Sequence, residues 1–359
     1  MKIAVNTGGG DAPGLNAVIR GIVLTAHKKG WEVYGIKYGY QGLIDTKQII
    51  RLTPESVWDI TNIGGTILGT ASKGDPFHYP VKTSEGNLVE TDISDTILTN
   101  FKALGFDALI AIGGDGSLRI ASRFLQKGMP IIGVPKTIDN DISSTDVTFG
   151  FDTAVNTATE AIDKLHTTAK SHDRVMVVEV MGRFVGWIAL HSGIAGSADV
   201  ILIPEIPFDI EKVCNKIRQL ALIGQDYAIV VVAEGAKPVG GEITIVEGVQ
   251  PGEALRLGGI GKRVSEEIKK KTGKETRDIV LGHLQRGGAP TTFDRLLSLR
   301  LGAAAVRLAE AGKFGNMVAL QSTKIIDVPI EEAIGKMKSV PLNSDVMQTA
   351  RSLGISFGD

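Results

Sequence analysis

The sequence has a single cysteine, Cys214, which excludes a disulfide within the chain and is typical of a reducing compartment. An excess of charge of one sign is also lacking, because 39 Lys and Arg against 40 Asp and Glu leave a formal net charge of −1. Bulk charge therefore argues against a nucleic-acid or membrane partner. No apolar run approaches the roughly 18 residues that cross a bilayer, and the first residues run straight into an expected strand, without a signal peptide. We expect a soluble, cytoplasmic protein.

Glycine, by contrast, is abundant, with 44 residues among 359, and it recurs in turns that follow apolar runs. The chain opens with a strand at residues 2–6, a glycine-rich turn at 7–14, a helix stopped by Gly30 and a strand at 31–37. Strands alternate with helices over the rest of the length, which predicts an α/β fold. The length allows two domains. We therefore expect two similar Rossmann-like lobes, with parallel sheets flanked by helices and the active site in the cleft between them.

The remaining strands are expected where short apolar runs are bounded by glycine or polar residues. They fall at residues 106–112, 130–134, 175–180, 200–203, 228–233, 278–281 and 317–320. Helical periodicity marks residues 261–271 and 293–311. Residues 38–105 are interpreted as loops and helices, and the polar stretch 73–92 within them as a surface loop.

Two motifs carry the chemistry that the sequence predicts. Residues 113–117, Gly-Gly-Asp-Gly-Ser, form a turn between a buried strand and a helix, where backbone N–H groups and the helix dipole suit phosphate. The carboxylate of Asp115 would repel a bare phosphate, so its natural partner is a bridging Mg²⁺. Residues 135–141, Pro-Lys-Thr-Ile-Asp-Asn-Asp, follow the next strand and set two carboxylates two residues apart. Together the motifs predict one phosphoryl-transfer site with a metal holder and a candidate base.

Three further motifs share the order and spacing of a known family. They are Gly-Gly-Asp-Ala-Pro-Gly-Leu-Asn at residues 9–16, Glu-Val-Met-Gly-Arg at 179–183 and Leu-Gly-His-Leu-Gln-Arg-Gly-Gly at 281–288. With all five, the chain closely resembles the ATP- and pyrophosphate-dependent 6-phosphofructokinases from residue 2 to about residue 340. The resemblance implies phosphoryl transfer to the 1-hydroxyl of fructose 6-phosphate. It also implies a donor lobe, residues 1–149 with about 284–334, and a fructose 6-phosphate lobe, residues 150–283 with about 335–359.

The resemblance assigns roles to residues of these motifs. Asp139 would act as general base toward the sugar hydroxyl, and Asp141 would help to set its charge. Thr137 would bond the transferred phosphoryl group, which Arg183 would steady. Mg²⁺ and ATP would be held by Gly10, Ser72, Lys73, Gly114, Asp115, Gly116, Ser117 and Lys136, with Asp115 as the metal ligand.

The resemblance also implies an acceptor set rich in arginine, whose guanidinium forks suit a sugar-phosphate dianion. Fructose 6-phosphate would be bound by Thr137, Ile138, Asp139, Arg174, Met181, Gly182, Arg183, Glu234, Arg277, His283 and Arg286. Two of these, Arg174 and Arg277, would reach across from a neighbouring subunit. The resemblance therefore implies a homo-oligomer, either a dimer or a tetramer.

Two markers of the phosphoryl donor disagree. Gly116 leaves space for the α-phosphate of a nucleotide, where pyrophosphate-dependent members carry Asp, whereas Lys136 is typical of pyrophosphate users. A bulkier residue at position 116 would block a nucleotide directly, while a lysine is flexible, so steric reasoning favours ATP, with pyrophosphate as the alternative. ATP-type bacterial members also carry an arginine where this chain has Ser72, followed by Lys73.

Each residue also has a purely structural interpretation. A lone Asp after a strand caps a turn, and most arginines are solvated surface charges. The turn at residues 113–117 is shared with NAD kinases and lipid kinases, but nothing in an NAD kinase calls for the other four motifs. Intact Asp115, Asp139 and Arg183 argue against a non-catalytic binding protein or partner subunit.

We predict weak or absent control by ADP and phosphoenolpyruvate through the effector site that bacterial ATP enzymes of the family use. Bacterial ATP enzymes of the family bind these anions through Arg and Lys; Arg20 matches the first of them, whereas Leu24, Pro54 and His166 stand at others. Residues 224–226, Gly-Gln-Asp, lack the lysines, and an anion site does not survive that loss of positive charge. Saturation curves for fructose 6-phosphate should therefore superimpose with and without either effector. A response like that of the regulated bacterial enzymes would contradict the prediction.

Overall fold

The computed structural model describes residues 1–71, 74–82, 88–245 and 257–359. Its strands are β1 (Lys2–Thr7), β2 (Glu32–Ile36), β3 (Ile49–Leu52), β4 (Tyr79–Lys82), β5 (Leu88–Thr91), β6 (Ala108–Gly113), β7 (Ile131–Pro135), β8 (Val175–Val180), β9 (Val200–Leu202), β10 (Ala228–Ala233), β11 (Thr276–Val280), β12 (Asn316–Gln321) and β13 (Lys324–Pro329). Its helices are α1 (Leu15–His27), α2 (Gln41–Ile44), α3 (Ser94–Ala103), α4 (Asp115–Gln126), α5 (Phe151–Ser171), α6 (Trp187–Ala195), α7 (Ile210–Leu222), α8 (Ile260–Thr272), α9 (Thr292–Glu310), α10 (Ile330–Ile334) and α11 (Asp345–Ser352).

The chain forms two compact units. Unit 1 comprises Met1–Ile138, Ile142–Asp152 and Arg286–Met337, and unit 2 comprises Asp139–Asp141, Thr153–Gln285 and Lys338–Asp359. The chain thus passes from unit 1 to unit 2 and back within the motif at residues 135–141. The assignment of a donor lobe and a sugar lobe stays a prediction.

Unit 1 is built on a seven-stranded sheet in the order β13-β12-β7-β6-β1-β2-β3. The five inner strands pair in parallel, and the two edge strands, β3 and β13, pair antiparallel to their neighbours. Successive side chains of a strand point to opposite faces, so Ile3 and Val5 enter one hydrophobic core and Ala4 enters another. Cores on both faces require helices on both faces, which is the doubly wound arrangement.

Unit 2 contains a smaller sheet in the order β11-β8-β10-β9, and all of its pairs are parallel. Its inner strands β8 and β10 are buried along their whole length, as continuous apolar runs predict. The end of the chain packs on this sheet, because Ile201 N donates to Ser356 O at 2.9 Å and Asp209 N to Gly358 O at 2.7 Å. The predicted α/β fold with parallel sheets flanked by helices is confirmed.

Several strands were missed, and the prediction for residues 38–105 was wrong in part. That stretch contains the edge strand β3 and the hairpin of β4 with β5, where a surface loop was expected. The hairpin side chains are almost all exposed, so they lack the alternation that marks a half-buried strand. The edge strand β13 was also not expected. Within the described part of the chain, no helix is both long and apolar enough to span a membrane.

Candidate active site

The glycine-rich turn after β1, residues 8–14, is called the donor loop here. It is bonded to the end of the neighbouring strand β6, where Gly8 N donates to Ile112 O at 2.9 Å. The end of β6 is in turn bonded to the residue that follows β7, because Lys136 N donates to Gly113 O, also at 2.9 Å. The structure therefore brings the predicted donor residues of three motifs to the same end of the sheet, which is the end where the parallel strands present their carboxyl termini.

Asp115 begins α4, and its carboxylate is paired within that helix. Arg119 Nε donates to Asp115 Oδ2 at 2.8 Å, while Arg119 Nη2 donates to Ile334 O at 2.6 Å. Next to Asp115, a Cβ atom placed on Gly116 would meet no described atom within 4 Å. The first turn of α4 thus presents backbone N–H groups, a carboxylate and open space to a ligand.

Ser117 lies in the same turn and explains two neighbouring glycines. A Cβ atom on Gly8 would lie 2.7 Å from Ser117 Oγ, and one on Gly113 would clash with the Ser117 side chain. These glycines are required by close packing. Ser72 and Lys73, the other predicted donor residues, lie outside the described residues.

Lys136 is buried, with 3% of its surface exposed. Its ammonium donates a hydrogen bond to Gly10 O, in the middle of the donor loop. Burying a lysine is costly unless the charge is satisfied, and here a main-chain carbonyl contributes to that. Lys136 therefore fastens the donor loop to the end of β7.

Arg286 is the second cation on the donor loop. Its Nη1 atom donates to Asp11 O at 3.0 Å, and a Cβ atom on Gly10 would lie 3.1 Å from the same nitrogen. The sequence places Arg286 with the acceptor phosphate, and the structure adds a contact on the donor side. His283, from the same motif, is exposed in the short 3₁₀ helix Gly282–Arg286.

The candidate base lies in a buried turn. Ile138, Asp139 and Asn140 are 0%, 4% and 3% exposed. Asn140 has a φ of 55°, a left-handed conformation that asparagine tolerates better than most residues. The main chain of Thr137 is held in place, because Thr148 Oγ1 donates a hydrogen bond to Thr137 O at 2.8 Å.

Lys338 holds the same turn from the carboxyl-terminal part of unit 2. Its N–H donates to Asp141 O at 2.9 Å and its ammonium to Asn140 Oδ1 at 3.2 Å. Trp187 Nε1 in turn donates to Lys338 O at 2.8 Å. Sequence reasoning missed this residue, because its partner Asn140 lies 198 positions earlier in the chain.

The turn after β8 carries the predicted sugar-binding residues Met181, Gly182 and Arg183. Gly182 has a φ of 140°, and a Cβ atom there would lie 2.6 Å from Val185 O, so only glycine fits. Arg183 N donates to Glu234 Oε1 at 2.9 Å. The structure therefore brings Glu234 together with this turn, and its carboxylate holds the main chain of the turn at Arg183.

Arg174 and Arg277 meet at a common acidic partner. Arg174 Nε lies 2.8 Å from Glu275 Oε2, and Arg277 Nη2 lies 2.5 Å from Glu275 Oε1. The hydrogen bond from Arg174 is the main cause that holds the pKa of the Glu275 carboxyl below its usual value. Two arginines that share one carboxylate are already positioned to bind another anion in place of that carboxylate.

A metal ion would have few protein ligands at this site. Among the described residues, no group of three or more His, Cys, Asp or Glu side chains is placed to hold one. A single carboxylate fits Mg²⁺, which usually takes one or two carboxylates and completes its shell with water and substrate phosphates. Asp115 suits that role, and its present partner Arg119 occupies one carboxylate oxygen.

These groups define the class of the protein. Glycine-rich turns at strand ends, the buried carboxylate of Asp139 with Asp141 two residues further on, and arginines near these turns are the kinds of group that phosphoryl transfer to an anionic acceptor uses. They do not by themselves name the substrate.

Comparison with known proteins identifies the family. A family model described as Phosphofructokinase matches residues 2–309. The chain is 54% identical over 360 residues, 100% of this chain and 98% of the relative, to a Chloroflexus aurantiacus protein named ATP-dependent 6-phosphofructokinase. It is 50% identical over 361 residues, with the same coverage, to a Clostridium perfringens protein named ATP-dependent 6-phosphofructokinase 2. The chain belongs to the phosphofructokinase family, as the five motifs predicted.

Solved structures agree on the fold. The chain superposes on Pichia pastoris phosphofructokinase in the T-state with a TM-score of 0.80 at 31% identity, covering 100% of this chain. It spans only 37% of the length of that larger chain. A pyrophosphate-dependent phosphofructokinase from Marinobacter aquaeolei has a TM-score of 0.80 at 24% identity, over 99% of this chain and 92% of its own. At that identity the likeness shows the fold alone.

The contacts of Lys338 predict a catalytic effect. Lys338→Met removes the charged hydrogen bond to Asn140, which loosens the turn that carries Asp139, so we expect kcat to fall about tenfold. Lys338→Arg should retain most of the activity. Steady-state kinetics check this, with the exposed Lys336→Met as the matched control. Equal activity of the Lys338 and Lys336 variants would refute the role.

Proposed function

We propose that the protein transfers the γ-phosphoryl group of ATP to the 1-hydroxyl of fructose 6-phosphate, giving fructose 1,6-bisphosphate and ADP in glycolysis. Family membership and the names of relatives that match over the full chain support the proposal. A cytoplasmic location and dependence on Mg²⁺ are parts of the same proposal. Pyrophosphate as donor is the alternative.

The open space beside Gly116 is the observation that carries ATP as the donor, and the contact of Lys136 with Gly10 O answers the argument for pyrophosphate. Lys136 is the marker of a pyrophosphate user, but its ammonium is bonded to the donor loop from a buried position. A lysine engaged in this way stabilises the loop, so its presence alone does not specify pyrophosphate. The space beside Gly116 then decides, and it favours a nucleotide.

The donor residues act by positioning and by charge. Backbone N–H groups of the donor loop and of the first turn of α4 bind phosphate oxygens, with Gly10, Gly114 and Ser117 closest to them in sequence. Asp115 holds Mg²⁺, which when bound supplies charge neutralisation on the donor phosphates. Lys136 keeps Gly10 in place throughout.

The acceptor residues position the 1-hydroxyl of the sugar and remove its proton. Asp139 accepts the proton of the sugar 1-hydroxyl while the new oxygen–phosphorus bond forms and the bond to the departing ADP breaks. Thr137 and Arg183 stabilise the charge on the phosphoryl group in transit. Asp141 helps to set the charge of Asp139.

The sugar phosphate itself is bound by cations and by the turn after β8. Glu234 accepts hydrogen bonds from sugar hydroxyl groups, and Met181 and Gly182 line the sugar. Arg174 and Arg277 give up Glu275 for the phosphate of a neighbouring subunit's substrate, while His283 and Arg286 complete the set. This arrangement requires a homo-oligomer, either a dimer or a tetramer.

Donor choice is predicted to depend on position 116. Gly116→Asp fills the open space with a carboxylate that repels the α-phosphate, so kcat/KM for ATP should fall by about 100-fold or more, equivalent to about 2.7 kcal/mol. The measurement is fructose 1,6-bisphosphate formation with Mg²⁺ and with ATP or pyrophosphate in parallel.

Gln126→Asp adds the same charge at the exposed far end of α4 and serves as the matched control. Turnover of the unchanged protein with pyrophosphate alone would overturn ATP as donor. Silence with both donors would overturn the kinase function.

Asp139 is predicted to act in the chemical step. Asp139→Asn keeps the size of the side chain but cannot take a proton, so kcat should fall about 10²–10⁴-fold. The KM for fructose 6-phosphate should stay within about threefold, because the arginines that bind the phosphate are untouched. Rapid-quench kinetics isolate the step, and a variant with unchanged kcat would remove Asp139 as the base.

A further inference from the structure

Residues 63–71 of unit 1 form a stretch, called the brace segment here, that is bonded to the donor loop at one end. Gly9 N donates to Ala71 O at 3.2 Å, and Thr70 Oγ1 donates to Gly9 O. Both main-chain polar groups of Gly9 are therefore held by the brace segment. A shift of this segment moves Gly9 and, with it, the neighbouring Gly10.

Asn16 holds the other end of the brace segment. It lies in the first turn of α1, with 1% of its surface exposed. Its Nδ2 atom donates to Ile63 O at 3.0 Å and to Gly64 O at 3.3 Å, and its Oδ1 atom accepts from Ile67 N at 2.8 Å. The buried amide thus uses both of its donors and an acceptor on one short stretch of main chain.

A further hydrogen bond holds the same segment close to its end. Thr7 Oγ1, at the end of β1, donates to Gly69 O at 2.7 Å. The brace segment is therefore bonded to α1 over residues 63–67, to β1 at Gly69 and to the donor loop at residues 70–71. These bonds form a continuous connection from Asn16 to Gly9.

We propose that Asn16 is a positioning residue for the phosphoryl donor, an inference that rests on the proposed function. Asn16 acts through the brace segment, which orients Gly9 and so aims the N–H group of Gly10 at the donor phosphates. The brace segment ends at Ala71, directly before Ser72 and Lys73. Loss of Asn16 therefore weakens donor binding and leaves fructose 6-phosphate binding unchanged.

Asn16→Asp and Asn16→Ala test the proposal. The aspartate has the same shape but sets a carboxylate oxygen against two carbonyl groups, and the alanine leaves three main-chain groups without their partner. We expect the KM for ATP to rise about tenfold in each variant, equivalent to about 1.4 kcal/mol. The Kd for ADP, measured by calorimetry without fructose 6-phosphate, should rise by a similar factor, while the KM for fructose 6-phosphate stays within about twofold.

Asn100→Ala is the matched control for a merely structural role. Asn100 lies on α3 in the same unit, and its Nδ2 atom donates to Leu43 O at 2.7 Å. The control variant loses a comparable amide-to-main-chain bond elsewhere in the unit. It should lower the Tm without changing the KM for ATP or the Kd for ADP.

Thr70→Val keeps the test decisive if the Asn16 variants do not fold. It removes the bond from the brace segment to Gly9 O and keeps the side-chain volume, so it should reproduce the loss on the donor side. If both residues act through the brace segment, Asn16→Ala and Thr70→Val should be non-additive in the Kd for ADP.

Unchanged donor constants in folded Asn16 variants, or in Thr70→Val, would overturn the proposal. So would an equal loss of affinity for both substrates. A wild-type protein that binds ADP but forms no product would instead remove the proposed function, and the Kd for ADP would still decide the role of Asn16.

Discussion

The architecture of unit 1 depends on polar bonds that join three loops beyond the ends of their strands. Gly8 N donates to Ile112 O, Lys136 N to Gly113 O, and the Lys136 ammonium to Gly10 O. Glycine-rich loops lose much conformational freedom when they are ordered, so they keep one shape only when their main chain is bonded on several sides. A ligand that is recognised by backbone N–H groups needs that fixed shape, because the groups stabilise developing charge only if they need no reorganisation.

In unit 2, the turn after β8 is also held in one conformation by a polar bond, but between different groups. Arg183 has a φ of 51°, which is unfavourable for a residue with a side chain. The bond from Arg183 N to Glu234 Oε1 compensates for it, and a Cβ atom on Gly235 would clash with Arg183 O. Strain that the surroundings hold in place in this way is typical of functional turns. A carboxylate that fixes the main chain of one arginine also fixes the point from which its side chain leaves the turn.

The sequence predicted the fold class and the position of each motif, because both are encoded locally. Buried parallel strands are continuous apolar runs, and the glycines of the turns mark where they end. The edge strands β3 and β13 were not predicted because most of their residues are half-buried or exposed, which leaves little alternation to detect. The contacts of Lys338 and Arg119 were not predicted for another reason. Lys338 bonds Asn140, 198 positions away, and Arg119 bonds Ile334, 215 positions away, and no local pattern predicts such contacts.

Several charges at the candidate site are arranged in ion pairs that, under the proposed function, a ligand would replace. Asp115 is paired with Arg119, and Glu275 is shared by Arg174 and Arg277, whose mutual repulsion it offsets. The side chains of both acidic partners are partly exposed, at 40% for Asp115 and 41% for Glu275, and ion pairs that water and salt can screen contribute little to stability. Giving up such a pair therefore costs little when a metal ion or a phosphate dianion arrives. By contrast, Lys136 is buried and bonded to the main chain, so it behaves as part of the scaffold. This difference in burial distinguishes the charges that are proposed to bind ligands from the charge that holds the loop.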